Sequence, residues 1–343
     1  MKKVKITGNL LLIVLVSVSL ISPACKKKDN FLRINGATQG TTYSIICEGV
    51  SGLTQEKVFQ GVSKILTGID YSLSVYNDSS LISRINRNEN VIADRYFTEV
   101  FNLSQEISEL TGGAFDITVG ALVRAWGFGP EARKKFDPSK LDSLMQLVGF
   151  HKVRLENGRL IKNNPGIILD VNAIAQGYTV DIISRYFDSL KVENYLIEVG
   201  GEVRVKGTKA GQQWKIGIDR PYDNNFTPGA DLQAIIKLKD RSLATSGNYR
   251  KFYEENGIKY SHTIDPRTGY PVRNRLLSAT IIGKECAVAD AVATASMVIG
   301  LEKSIEFIEK HPEFEAYFIY SGTDGSFLTW MSETLREMIS EEK

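Results

Sequence analysis

The 343-residue chain carries 42 Lys and Arg against 40 Asp and Glu, a net charge of +2, with 43% hydrophobic and 24% charged residues. This is the composition of a globular body, long enough for a large core and, by length alone, for two domains. No basic stripe interleaved with aromatics is present, which excludes the usual signature of nucleic-acid binding.

The N-terminus differs in kind from the rest. Lys2, Lys3 and Lys5 precede an uncharged apolar run from Leu10 to Ile21, followed by Ser22-Pro23-Ala24-Cys25 and three lysines. A positive start, an apolar stretch and a small residue before a cut describe an export signal. Cys25 at the boundary makes it similar to a bacterial lipoprotein signal, in which that cysteine is lipidated and becomes the mature first residue. Ser22 departs from that pattern, which usually has leucine there. An uncleaved anchor is the alternative, since Ile6 to Ala24 approaches the roughly 20 residues that span a bilayer. In both readings the body faces away from the cytoplasm. The expected organisation is a signal over 1–25, a short polar tether over 26–30 and one domain over 31–343.

Along the body, Phe31 to Asn35 and Thr42 to Cys47 alternate like strands, with Gly36 to Gly40 predicted as the loop between them. Val58, Val62, Ile65, Leu66, Ile69 and Leu73 fall at helical spacing within Thr54 to Leu73. Tyr76 to Ser80 breaks that helix, and Leu81 to Asn86 is a short helical turn. Phe97 to Leu110 is a second amphipathic helix, closed by Gly112-Gly113. The glycine-rich apolar stretch that follows holds one carboxylate, Asp116, which either ties structure together or holds a ligand; its apolar setting favours structure. Asn157-Gly158 marks a hairpin inside Lys152 to Lys162. Ile167 to Val171 is predicted as a continuous apolar strand ending near Asp170, and the helix after it presents Tyr178, Ile182, Ile183, Tyr186 and Phe187 on one face.

Strands are predicted at Tyr195 to Val199, Glu202 to Lys206, Trp214 to Ile218 and Leu232 to Leu238, with Gly200-Gly201 as a tight turn and Tyr222 to Gly229 as a polar loop. Thr245 to Asn248 is predicted as a small polar loop, Ile258 to Ile264 as a short strand, and Asp265 to Gly269 as a turn. Leu277 to Ile282 is a strand. Cys286 to Ile299 and Leu301 to Lys310 are helices, Ala316 to Tyr320 and Phe327 to Trp330 strands, and Met331 to Glu342 an amphipathic tail. Strands and helices mix without strict alternation, so the expected class is α+β, with mixed, largely antiparallel sheets and packed helices.

Two features could carry chemistry. His262, one of three histidines, sits between two loops, as an acid/base or phosphate partner would, or as an incidental histidine of a surface hairpin would. Asp290 and Thr294, four apart on one helix, point to one side and offer the hard oxygen ligands that suit Mg²⁺, although two ligands also coincide by chance. No Walker loop, no GxGxxG joining a strand to a helix and no GxSxG elbow is present. Glycine-rich loops, lone acids, one histidine and a hard-metal pair together fit phosphoryl chemistry on a dinucleotide.

Taken in order, Gln39-Gly40-Thr41-Thr42-Tyr43, Tyr76 to Ser80, GGAFDITVGALVRAWGFG at 112–129, LDVNAIAQGYTVD at 169–181, EVGGEVRVKG at 198–207, ATSGNYR at 244–250, SHTIDPRTGYPV at 261–272 and ADAVATA at 289–295 resemble the ApbE family, the FAD:protein FMN transferases. The resemblance implies an ApbE-like, T-fold-like architecture. It also implies an enzyme that uses Mg²⁺ to attach FMN from FAD through a phosphoester to a threonine or serine of an exported protein, releasing AMP. The acceptor would be a redox-complex subunit, and the chain would be anchored by lipid on Cys25, facing the periplasm or cell exterior. Carried over residue by residue, the metal ligands would be Asp290 and Thr294, with the carbonyls of Ala173 and Ala293. FAD would be held by Gln39, Tyr76, Ala114, Phe115, Asp116, Asp170, Gln176 and Thr263. His262 would serve transfer, either as the base for the acceptor hydroxyl or as a phosphate partner. Gln39 and Gln176 depart from the family, which usually has methionine at the first position and lysine or an acid at the second, so the electrostatics of the FAD site would differ.

Three other readings compete. An FAD pyrophosphatase would release FMN and AMP, a non-catalytic FAD-binding lipoprotein would release neither, and a flavin redox enzyme would change flavin absorbance with an electron donor.

Overall fold

The computed structural model describes residues 30–129, 136–222, 229–248, 252–255 and 258–342. Cys25 and the export signal lie outside them, as does most of the polar loop predicted after Tyr222. Phe31–Lys343 forms one compact unit. Among the described residues no helix is long and apolar enough to cross a membrane.

The first half of the chain runs β1 (Phe31–Thr38), β2 (Thr41–Glu48), α1 (Gln55–Leu73), α2 (Leu81–Asn86), α3 (Arg95–Leu110), α4 (Gly120–Ala125), α5 (Leu141–Met145), β3 (Val153–Glu156), β4 (Arg159–Lys162) and α6 (Ala175–Ser189). It continues through β5 (Tyr195–Val199), β6 (Glu202–Lys206), β7 (Trp214–Asp219), β8 (Leu232–Leu238), β9 (Ser242–Gly247), β10 (Phe252–Glu255), β11 (Ile258–Ser261) and β12 (Leu276–Gly283). Last come α7 (Cys286–Ile299), α8 (Leu301–Lys310), β13 (Glu315–Ser321), β14 (Phe327–Met331), α9 (Glu333–Arg336) and β15 (Ile339–Glu342).

An eight-stranded antiparallel sheet in the order β1-β2-β5-β6-β9-β12-β13-β14 forms the middle layer. Side chains alternate across it with period two, so each strand feeds two cores. On one face, Val203, Val205, Leu243, Ile282, Tyr317 and Ile319 meet Trp214, Ile216, Ile236 and Leu238 of the three-stranded sheet β15-β8-β7. On the other, Ile197 and Val199 meet Val58, Val62 and Leu66 of α1 and Val180, Ile183 and Phe187 of α6. Ala244, Ala279 and Ile281 pack against Val292, Ala293 and Met297 of α7. Each fully buried Ile, Leu or Phe side chain stabilises the fold by about 1.5–3 kcal/mol. The expected α+β class with largely antiparallel sheets is what the chain adopts.

Several local expectations are corrected. β1 continues through Gly36 to Thr38, leaving only Gln39-Gly40 as the turn, at φ +50° and +71°. Left-handed values at both positions belong to a two-residue hairpin turn. Gly36 is needed inside the strand because a Cβ there would meet the Tyr43 ring at 2.5 Å. Thr245 to Gly247 is no loop: it ends β9, paired with Ser278 to Thr280 of β12. Ile167 to Val171 forms no regular strand, although Ile167, Leu169 and Val171 are buried. Asn86 instead satisfies the backbone N–H and C=O of Leu169, at 2.8 and 2.9 Å. The strand predicted through Ile264 stops at Ser261. The tail after Met331 folds into α9 and then β15, which pairs with β8.

Cys47 and Cys286 are both free and buried. Burial pushes the Cys47 thiol up to about 11 and that of Cys286 well above its ordinary range, so both behave as small core residues.

Candidate active site

One cavity of about 1150 Å³ opens where the sheet ends, the loop leading into α6 and the helix α7 converge. It exceeds the roughly 300–1,000 Å³ of ordinary small-molecule sites. Its lining includes Gln39, Tyr76, Ala114, Phe115, Asp116, Asp170, Ala173, Gln176, His262, Thr263, Asp290 and Thr294. Residues more than 250 positions apart in sequence therefore share one wall system. Ala293 does not line the cavity; its side chain lies in the core between α7 and the sheet.

Asp290 and Thr294 stand one helical turn apart on α7. Asp290 is 6% exposed, and its Oδ2 accepts the Gly177 backbone N–H at 3.1 Å. Burial raises its carboxyl above the ordinary range; the Gly177 amide opposes that rise and the charge of Asp181 adds to it. Thr294 Oγ1 shares a 3.0 Å hydrogen bond with Ser246 Oγ at the end of β9.

Opposite lies the loop leading into α6. Asp170 Oδ1 accepts the Asn172 N–H at 2.9 Å, and the Asp170 N–H donates to Ile117 at 2.8 Å, which ties this loop to the 114–118 segment. Tyr76 stands at the rim, 61% exposed. Burial of its hydroxyl, and the Asp170 charge after it, raise the Tyr76 pKa, against a hydrogen bond from Asn172. Gln39 Nε2 donates to Thr179 Oγ1 at 2.7 Å, while its Oε1 is buried without a protein partner. Gln176 lies against the Gly200 turn, where a Cβ would meet its Nε2 at 2.6 Å.

Asp116 reaches the cavity but is committed to the protein. Its Oδ1 accepts the N–H and hydroxyl of Thr118 at 2.8 and 2.7 Å, and its Oδ2 accepts the Phe150 N–H at 2.7 Å. Burial still pushes its pKa up despite these bonds. Asp116→Ala is expected to lower stability by about 3 kcal/mol, because it strands three donors in the core. Urea unfolding measures this; a loss under about 1 kcal/mol would show that the knot is not structural.

His262 follows β11 and faces the cavity with Thr263, its ring edge-on to Phe128 at 6.4 Å. The turn behind it is fastened at several points. Asp265 holds Arg267 through two bonds of 2.9 and 2.8 Å. Trp126 Nε1 donates to the Gly269 carbonyl at 2.8 Å. Gly269 has φ +77°, and a Cβ there would meet Leu141 at 2.6 Å, so α5 and the turn fit only around a glycine. Ile264, Leu122, Trp126 and Val148 make a small separate core beneath the histidine.

The charge of the cavity limits its ligand. Among the described residues, Asp70, Asp116, Asp170, Glu198, Glu202, Asp219 and Asp290 line it, with Lys215 and His262 as the basic side chains. An anionic ligand needs a cation of its own in such a site. Among the described residues no three His, Cys, Asp or Glu side chains are grouped to hold a metal ion. The buried Asp290 carboxylate and the half-buried Thr294 hydroxyl nevertheless have the hard donor chemistry that a magnesium ion accepts alongside carbonyls, water and phosphate. Ser246, Phe128 and Asn172 line the site without having been singled out from sequence. Ser246 reaches the site through the pairing of β9 with β12, which local turn chemistry does not signal.

Residues 39–318 match the ApbE family. The chain is 34% identical over 337 residues to a protein of Vibrio cholerae named FAD:protein FMN transferase, covering 96% of this chain and 99% of that one. It is 30% identical over 320 residues to the Escherichia coli K12 protein of the same name, with 90% of each covered. The fold is similar to that of the flavin transferase ApbE from Vibrio cholerae, with a TM-score of 0.81, 33% identity and coverage of 90% and 99%. It is also similar to the apo form of the Pseudomonas stutzeri flavinyl transferase, with a TM-score of 0.82, 30% identity and coverage of 92% and 98%.

Proposed function

The chain belongs to the ApbE family, and from that premise we propose that it is an FAD:protein FMN transferase that moves FMN from FAD to a threonine or serine hydroxyl of an exported acceptor, releasing AMP. One observation carries the reading: a single dinucleotide-sized cavity brings His262 together with the buried Asp290 and its neighbour Thr294. Gln39, Tyr76, Ala114, Phe115, Asp170, Gln176 and Thr263 hold FAD. The exposed Tyr76 ring offers a face for stacking.

In the transfer, the acceptor hydroxyl oxygen bonds to the phosphorus that carries the flavin. The bond from that phosphorus to the oxygen bridging the two phosphates breaks, and AMP leaves with that oxygen. His262 takes the hydroxyl proton. Asp290, Thr294 and the carbonyls of Ala173 and Ala293 would hold Mg²⁺, which when bound neutralises charge on the diphosphate. Asp116 acts on FAD through the loop it fixes. We further propose that Cys25 is lipidated and holds the enzyme on the outer side of a membrane, where a redox-complex subunit is the acceptor.

The test mixes the chain from Lys26 onward with FAD, Mg²⁺ and an acceptor subunit bearing a threonine or serine site. Flavin fluorescence of the acceptor band and AMP are read together. A fluorescent band with matching AMP, both lost on chelation, is the expected result. AMP without a labelled band would mean hydrolysis, and FAD binding without AMP would mean a carrier.

A further inference from the structure

The starts of α6 and α7 lack caps of their own. Ile174 before α6 and Glu285 before α7 make no side-chain capping bond. The first turn of a helix has backbone N–H groups without helical partners, and here both turns are sealed in the core: Gly177, Cys286 and Ala287 are all buried. Each helix is capped by a carboxylate of the other. Asp290 of α7 accepts the Gly177 N–H of α6. Asp181 of α6 accepts the Cys286 N–H at 3.0 Å on Oδ1 and the Ala287 N–H at 2.9 Å on Oδ2.

The spacing makes these two exchanges one unit. Gly177 and Asp181 are four apart on α6, and Cys286 and Asp290 are four apart on α7, so each pair shares a helix face. The backbones touch there: a Cβ on Gly177 would meet the Cys286 carbonyl oxygen at 2.5 Å. Two carboxyl groups are thus held beside two positive helix ends. Asp290 spends one oxygen on the clasp and keeps the other for a ligand.

We propose that Asp181 is a positioning residue of the metal site, holding Asp290 and the start of α6 in the arrangement that receives the cation. This rests on the reading of Asp290 as a metal ligand. Asparagine in its place accepts only one of the two amides and turns an NH₂ towards the other. An unpaired donor in a sealed core forces the first turn of α7 to shift or fray, and Asp290 stands on the next turn. Removing a group that orients a metal ligand weakens metal affinity on the order of 10- to 100-fold.

The test is an Mn²⁺ titration of the FAD-loaded chain, followed by the electron paramagnetic resonance of the free ion, on wild type, Asp181→Asn and Asp290→Ala. The expected result is a Kd raised on the order of 10- to 100-fold in folded Asp181→Asn. Wild-type affinity in that variant, with affinity lost in Asp290→Ala, overturns the positioning role and leaves Asp290 a ligand. Equal affinity in wild type and Asp290→Ala removes Asp290 from the metal site and this proposal with it. Should Asp181→Asn fail to fold, hydrogen exchange of the wild-type chain decides. Mg²⁺ is then expected to slow exchange at Cys286 and Ala287 more than in α8, and equal slowing overturns the proposal.

Discussion

His262→Ala is expected to lower the rate of FMN transfer by ~10²–10⁴-fold, the usual contribution of a positioned proton acceptor, while FAD affinity changes little. The residue faces the cavity on a turn fastened by the Asp265 and Arg267 pair and by the Trp126 bond to Gly269. Those fastenings do not involve its ring, so removing the imidazole leaves the loop in place. Transfer would be followed by acceptor fluorescence and FAD binding by quenching of its own fluorescence. A variant that no longer binds FAD would show that the imidazole serves affinity, as a phosphate partner would. A base also predicts a rate that falls as the imidazole becomes protonated at lower pH. That fall should be absent from the residual rate of the alanine variant.

The parts of this site that lie on one regular element were legible in sequence, and the parts made by distant pairing were not. Cys286 to Ile299 reads as a helix from its apolar spacing alone, and that spacing puts Asp290 and Thr294 on one side, where both line the cavity. Thr245-Ser246-Gly247-Asn248 reads locally as turn chemistry. Its strand state comes from β12, more than 30 residues later, whose register places Gly247 against Ser278. Ser246 is thereby carried to Thr294, a contact that no local pattern encodes. The tail after Met331 is similar, since β15 exists only because β8 offers it an edge. Asp181 shows the same limit at the level of one side chain. It sits inside a helical run with no feature of its own, and its partners are amides 105 and 106 positions away. Gln39 was noticed for its identity, but the turn that holds it and the unpartnered Oε1 it turns inward belong to the folded chain.

Asp290→Ala should abolish Mg²⁺-dependent transfer at ordinary metal concentrations, and Mg²⁺ should stabilise the wild-type chain more strongly as pH rises. Burial raises the Asp290 carboxyl above its unfolded range, and the nearby Asp181 charge adds to the rise after the Gly177 amide has opposed it. The metal-free folded state therefore holds a proton that the unfolded chain has already released. Between the unfolded carboxylate value of about 3.9 and the raised folded one, stability falls as pH increases. A bound cation replaces that proton, so Mg²⁺ competes with protons at low pH and offsets the buried charge at high pH. At a metal concentration of about 100 Kd the stabilisation is about 2.7 kcal/mol. Thermal unfolding of wild type should show a larger Mg²⁺-induced rise in Tm near pH 8 than near pH 5, about the ordinary span over which a raised carboxyl titrates. In Asp290→Ala both the rise and its pH dependence should vanish. A rise that is the same at both pH values, or that survives in the alanine variant, would place the cation on other oxygens.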